Sequence, residues 1–365
     1  MIQEGSVTLP LTKQPISRKQ TVFYNQKMKH NRDISVAILS SFKGFANRSV
    51  HIALPLEASG VRGIRILKES APIAKKEFIL SMNDHNPKAI EFMQKLVTQN
   101  GVNATITQLD SDAFFLQAKG FDYIDIDPFG TPNPFLDMAI KRLSRNAILA
   151  VTATDTATLC GAYPQVCVRE YWANSIHCSW MHEIGLRILI AKIQKIGAQY
   201  DRALTPILSY NKDHYMRVYF SCKKSKEAST AVIQTHKPGW MDEKTQEWSL
   251  QPHAGWTQFG PIFCGPLYDF SSIDKEKFVE SLKQSDAYDA WAQTLLDELD
   301  VDSKVIGYYN IPWLCKVSKN KKQPSIPTFV QQLSKKYPTA RTIQQKQCIK
   351  STIPFQDLIK ILKEM

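Results

Sequence analysis

Several absences narrow this chain before any motif is read. None of its seven cysteines stands in a Cys-x-x-Cys pair, and their number is odd. A disulfide framework or a thiolate zinc site is therefore not expected, and most are read as packed thiols. No apolar run is long enough to span a bilayer. Residues 1–10 lack the basic start and apolar core of a signal peptide. The expectation is an intracellular, cytoplasmic protein with no membrane partner and no evident obligate protein partner. No glycine-rich loop of the kind that cradles phosphates is present, which disfavours NAD or ATP as the ligand. Acids are also in short supply. Lys and Arg number 46 against 34 Asp and Glu, a net charge of +12. In residues 316–365 eleven cations face only Asp357 and Glu364. Such a bias suits a polyanion, although charge that merely keeps a surface soluble looks the same.

The hydrophobic pattern is that of an ordinary globular protein, and 365 residues suggest two domains at about 150 residues each. Strand-like runs fall at residues 51–57, 77–82, 104–109, 121–127 and 147–154. Helix-like segments separate them. In one, Ile90, Met93, Leu96 and Val97 share a face and Gly101 supplies a stop. This alternation predicts an α/β fold with a doubly wound parallel sheet. A long helix over 180–199 follows, then two strand-like runs around the turn 211–213. The polar, basic stretch 223–230 reads as a boundary. The expected division is 1–222 and 223–365, the second part being a smaller basic α+β domain.

In an open parallel sheet, ligands bind beyond the carboxyl ends of the strands. Gly60 and Gly63, with Arg62 between them, follow the first strand; a plain strand-to-helix turn explains them equally well. Asp84 ends the second strand, at the spacing where an acid meets ribose hydroxyls, or it caps the next helix. Asp112 follows the third strand and could accept from an adenine amino group, with the Ala113 amide beside it. Together these ends favour an adenosine-bearing ligand.

The fourth strand, "FDYIDID", carries Asp122, Asp125 and Asp127 among bulky apolar residues. Carboxylates in a core strand are costly unless paired or used. Period two puts Asp125 and Asp127 on one face, and Asp127 is last. Pro128 stiffens the turn, so its carbonyl can be an immobile acceptor, and Phe129 offers a flat face. Two acceptors and an aromatic wall suit a planar group with an exocyclic NH2. They would localise its delocalised lone pair and take a proton as it attacks a methyl sulfonium. Asp127 is the candidate for chemistry, Asp125 a supporting residue and Asp122 structural.

On these residues the chain resembles the archaeal and eukaryotic tRNA (guanine-26-N2)-dimethyltransferases. The resemblance rests on "FYN…NRD" (residues 22–36), "ASGVRGIR", "DIDPFGTPNPFLD" (125–137), "TATDTATLCGAYP" (152–164), "HEIGLRILI" and "SYNKDHYMRVY". It is looser after residue 222, where "GPLY" and "TARTI" anchor it. It implies a Rossmann-like domain that transfers one or two methyls from S-adenosylmethionine to the N2 of guanosine 26 in tRNA. It implies cofactor binding by Arg32, Arg62, Asp84, Asp112 and Ala113. It implies Asp127 and Pro128 as the acceptors, and Phe23 and Phe129 flanking a flipped guanine, since a stacked base cannot react.

There are departures. Many relatives carry two Cys-x-x-Cys pairs in the second domain, and here the comparable stretches 236–240 and 252–256 hold no cysteine. No zinc is expected; packing of Trp240, Trp248 and Trp256 is expected in its place. The family's Arg-Thr-His-Phe becomes Arg341-Thr342-Ile343-Gln344, which puts the tRNA contact there in doubt. His182 and Glu183 read as structural, because no second histidine follows at metalloprotease spacing. Rival readings are an amino methyltransferase for another RNA or DNA base, and a tRNA-binding folding chaperone.

Overall fold

The computed structural model describes residues 1–11, 20–117, 119–320 and 322–365. Its centre is a seven-stranded sheet. The strands are β1 (Val50–Leu54), β2 (Phe78–Asn83), β3 (Thr105–Thr107), β4 (Phe121–Ile126), β5 (Leu143–Ala153), β6 (Arg202–Lys212) and β7 (Tyr215–Lys224). Their spatial order is β3-β2-β1-β4-β5-β7-β6. The first five run parallel, and β7 is antiparallel to both β5 and β6. The strand order reverses between β1 and β4, so the crevice for a ligand opens there.

β4 is central, which explains its composition. It lies between β1 and β5, and all six of its residues are buried. Helices cover both faces of the sheet, as the alternation predicts. Helix α1 (Lys29–Ser41) is almost wholly buried. The turn after β1 continues as one helical run through Val61–Arg65, Ile66–Ser70 and Ala71–Ala74. Helix Pro87–Asn100 has Asn86 as its cap, Pro87 in its first turn, and Gly101 at a left-handed φ of 62° as its stop. The long helix Met181–Ala198 agrees with the expected 180–199 and is buried over most of its length.

The stretch 223–230 is not a break. β7 runs on to Lys224, and Ser225 caps a helix over Lys226–Gln234. A three-stranded sheet then places Trp248–Ser249 and Thr257–Phe263 on either side of His236–Met241. It joins the main core, which includes Met241, Phe259, Phe263 and Tyr308. A separate core begins at Ile311, with Leu314, Phe329, Leu333, Leu358 and Leu362.

The packing of the 236–263 region differs from expectation. Met241, Phe259 and Ile262 are fully buried, whereas Trp240, Trp248 and Trp256 are only half-buried. Trp248 packs on Trp180 at 5.0 Å, while Trp256 stacks on His253 at 4.3 Å. The apolar bulk comes from the strand's own inward residues and Trp180. His236 hydrogen-bonds Gln194 at 2.7 Å. Among the described residues no group of three or more His, Cys, Asp or Glu is placed to hold a metal ion, and no helix is long and apolar enough to cross a membrane.

Thr342, Ile343 and Gln344 are buried. Gln344 bonds Asn211, Ser209 and Tyr268, so this stretch fastens the C-terminal part to β6. The cations left exposed in that part are Lys316, Lys319, Lys322, Lys335, Lys336, Lys346, Lys360 and Lys363. Lys321 lies outside the described residues.

Candidate active site

A cavity of about 690 Å³ opens at the carboxyl ends of β1 to β4. Each strand end contributes. After β1, Gly60 adopts φ 78°, the left-handed region that glycine enters at no steric cost, and Val61 and Arg62 begin the helical run. A Cβ on Gly63 would lie within 3.0 Å of Leu54, Leu80 and Met82, so glycine there lets helix and sheet pack closely. Asp84 follows β2. Its carboxylate accepts from the Ala58 and Asn86 amides, each at 2.9 Å, which holds two turns together at the rim. The cap of the next helix is Asn86, so Asp84 is not its cap.

Phe23, Arg32, Arg62, Asp84, Asp127, Pro128 and Phe129 all line this cavity. Asp112 and Ala113 do not. Asp112 is exposed in the first turn of helix Ser111–Leu116; its neighbours Asp110 and Ser111 form the wall.

The turn Asp127-Pro128-Phe129-Gly130 is clamped at its far end. The Gly130 amide donates to Thr154 Oγ1 at 2.6 Å, and the Thr154 amide donates to the Gly130 carbonyl at 2.9 Å. Gly130 has φ 81°. Phe23 and Phe129 meet edge to face, with centroids 4.6 Å apart, and Phe129 is 51% exposed. The two rings expected around a base therefore touch each other across the mouth.

Beneath them lies a buried ion network. Arg217 on β7 forks onto Asp125, at 2.7 Å to each oxygen, and reaches Thr152 Oγ1 at 2.8 Å. Arg62 contacts Asn31 at 2.8 Å, Ser35 at 2.9 Å and Asp125 at 3.2 Å, and it ion-pairs with Asp127. Burial by itself would raise the Asp125 carboxyl; Arg217 and Arg62 outweigh it and hold it below the usual range. Asp122, at the strand's start, pairs instead with Arg48 and accepts the His51 amide. The three aspartates thus have different partners.

Two features escaped the sequence. Arg32 lies against Glu4, at 2.6 and 2.5 Å, and Glu4 also meets Arg65 and Tyr24. Burial pushes Glu4 up, but Arg32 and its hydrogen bonds bring the carboxyl down to about 2. Glu4 sits in a short hairpin, Ile2–Glu4 with Val7–Leu9, which has too few residues to show a period. Glu57 also lines the cavity, and burial pushes it up to about 8 despite Arg62 and the Gly63 amide. Arg217 did leave a signal. It alternates with Tyr215 and Tyr219 in a strand with an apolar face, so a cation there needs an internal anion, and "FDYIDID" carries one.

A doubly wound sheet of this order, with its cavity at the switch point and no phosphate-cradling loop, is the frame of a Rossmann-like methyltransferase. The family model for N2,N2-dimethylguanosine tRNA methyltransferase matches residues 3–363. A tRNA (guanine(26)-N(2)/guanine(27)-N(2))-dimethyltransferase of Aquifex aeolicus is 31% identical, covering 100% of this chain and 96% of that protein. The tRNA (guanine(26)-N(2))-dimethyltransferase of Methanothermobacter thermautotrophicus is 32% identical over 86% of this chain and 85% of its own length. The solved structure of Trm1 from Pyrococcus horikoshii with S-adenosyl-L-methionine superposes with a TM-score of 0.83, at 27% identity and 98% coverage of both chains. The chain belongs to the N2,N2-dimethylguanosine tRNA methyltransferase family. It is a methyltransferase enzyme and its cofactor is S-adenosylmethionine.

Proposed function

We propose that this enzyme transfers one or two methyl groups to the exocyclic N2 of guanosine 26 in tRNA. The observation that carries the reading is the convergence, in one cavity, of Asp127, Pro128, Phe23 and Phe129 with Arg32, Arg62 and Asp84. When bound, S-adenosylmethionine supplies the electrophilic methyl group on its sulfonium. The lining fits that molecule: cationic Arg32 and Arg62 suit its carboxylate, Asp84 suits ribose hydroxyls, and Pro55, Leu56 and Leu109 supply an apolar wall. The left-handed turn at Gly60 supports close approach of backbone. Asp112 and Ala113 lie two residues beyond the lining Asp110 and Ser111 and outside the cavity wall, so either would have to meet the adenine from its rim.

Asp127 and the Pro128 carbonyl accept the hydrogens of the guanine amino group. That localises the nitrogen lone pair and gives the departing proton a destination. Pro128 is buried and its turn is tied to Thr154, so its carbonyl does not need to reorganise. Phe23 and Phe129 part to take the base between them, which requires it to leave its stack in the tRNA. Residues 1–222 carry this site, and residues 223–365 grip the tRNA through exposed lysines such as Lys335, Lys336 and Lys360.

The test is methyl transfer from labelled cofactor to tRNA transcripts with and without guanosine at position 26. Only the first should be labelled. Asp127→Ala should lose transfer while keeping tRNA binding. Equal incorporation into both transcripts overturns the assigned nucleotide. Full activity in the variant overturns the assigned acceptor.

A further inference from the structure

Arg62 has more anionic partners than one cation needs. It contacts Asn31, Ser35 and Asp125, and it is also paired with Asp127. The two carboxylates differ in surroundings. The Asp125 side chain is only 1% exposed and is held by both oxygens on Arg217. Asp127 retains 20% of its side-chain exposure and faces the cavity. Giving up Asp127 would therefore leave neither ion stranded. Arg62 keeps Asp125 as counter-ion, and Asp127 can be hydrated or can meet a substrate. Stranding a buried ion is what makes most such exchanges prohibitive.

The other cavity arginine offers no such exchange. Arg32 is forked onto Glu4, whose side chain is 1% exposed. Displacing Glu4 would strand a carboxylate inside the protein with Arg65 as its remaining cation. Of the two cations, Arg62 is the one with a replaceable partner.

We propose that Arg62 is a shared counter-ion that exchanges Asp127 for the carboxylate of the bound cofactor, so that Asp127 is released to accept the amino protons only once the cofactor is in place. Asp125 and Arg217 are positioning residues in this device, because they hold Arg62 in both states. The inference rests on the cofactor reading above. Its consequence is an order of events. With tRNA alone, Arg62 still occupies the acceptor.

The test compares S-adenosylhomocysteine with its decarboxylated analogue, which keeps the amine and lacks the carboxylate. Calorimetry on the full chain gives both affinities, and their ratio isolates the carboxylate. If Asp127 competes for Arg62, Asp127→Asn raises that ratio about tenfold, within the usual range for coupled sites. Arg62→Gln brings the ratio close to one. Should the second variant fail to fold, the first decides alone, since its side chain is part-exposed and isosteric. A ratio in Asp127→Asn equal to or below that of the parent overturns the exchange. Failure of both ligands to bind the parent protein sinks the cofactor reading instead, and the inference with it.

Discussion

Removing the charge of Lys350 should loosen the C-terminal part from the methyltransferase sheet. Lys350 lies on the strand Cys348–Ser351 and its side chain is fully buried. Its Nζ is 2.5 Å from Asp302 and 3.1 Å from Glu183. Glu183 stands near the start of helix Met181–Ala198 and also accepts from Arg187 at 2.8 Å and the Gly307 amide at 2.7 Å. Asp302 also accepts the Leu267 amide at 2.6 Å. One lysine thus neutralises carboxylates from two separate segments. Lys350→Met keeps the length and, among the described residues, leaves Asp302 without an ion pair and Glu183 with Arg187 alone. Breaking a buried pair in this way costs about 3–5 kcal/mol. At about 2–4 °C per kcal/mol, the melting temperature should fall by roughly 10 °C in scanning calorimetry at neutral pH.

The pH dependence has a definite sign. Burial pushes Glu183 up, but Lys350 and Arg187 outweigh it and hold the carboxyl below its usual range. Its stabilisation is present above the unfolded value of about 4.3 and is lost as pH falls through the lower folded value. The gap between variant and parent should therefore narrow in acid, as Glu183 takes up a proton. A variant melting within about 2 °C of the parent at neutral pH would refute the argument.

Other perturbations separate structural from chemical roles. Asp122→Ala should cost about 1–3 kcal/mol, because it strips a hydrogen-bonded acceptor from the part-buried His51 amide and removes a buried carboxylate, whereas Arg48→Ala, on the half-exposed partner, should cost about 1 kcal/mol or less by urea denaturation. Glu298 is pushed up to about 8 by burial, despite Lys350, so it disfavours folding increasingly as pH rises from its unfolded value towards 8. Glu298→Gln should then gain stability relative to the parent over that range, and a constant difference between pH 5 and 8 would count against it. Gly161 has φ 90°, and a Cβ there would meet the backbone of Ile176 and His177 at 2.4 Å. Gly161→Ala should destabilise by at least about 2 kcal/mol in thermal melts, and a neutral result would exclude that close approach.

Much of the catalytic half was legible because its signals are local. Short apolar runs alternating with helix-like segments marked the parallel strands, and Gly101 ended its helix through its own backbone freedom. The Asp-Pro-Phe-Gly turn marked the cleft because proline and glycine set backbone angles without help from distant residues. Other features had no local signature. Glu4 reaches Arg32 and Arg65 only after the N-terminal hairpin docks. The stretch 223–230 reads as a break because it is polar, yet Ser225 caps a helix there that buries only Ser229. Nothing local marks Thr342 and Gln344 as buried residues that fasten the C-terminal part to β6.

By itself, then, the sequence determined the strand order's raw material, the carboxylates in and just after β4, and most of the residues expected at the cavity, though not Asp112 and Ala113. It also determined that Asp125 and Asp127 share a face, since alternation is a property of any extended chain. Only the tertiary structure decided which cation meets which carboxylate. Arg48, Arg62 and Arg217 come from three different segments, and each aspartate of β4 takes a different set of them. Coulomb energy depends on distance and burial, and neither exists until the chain has closed.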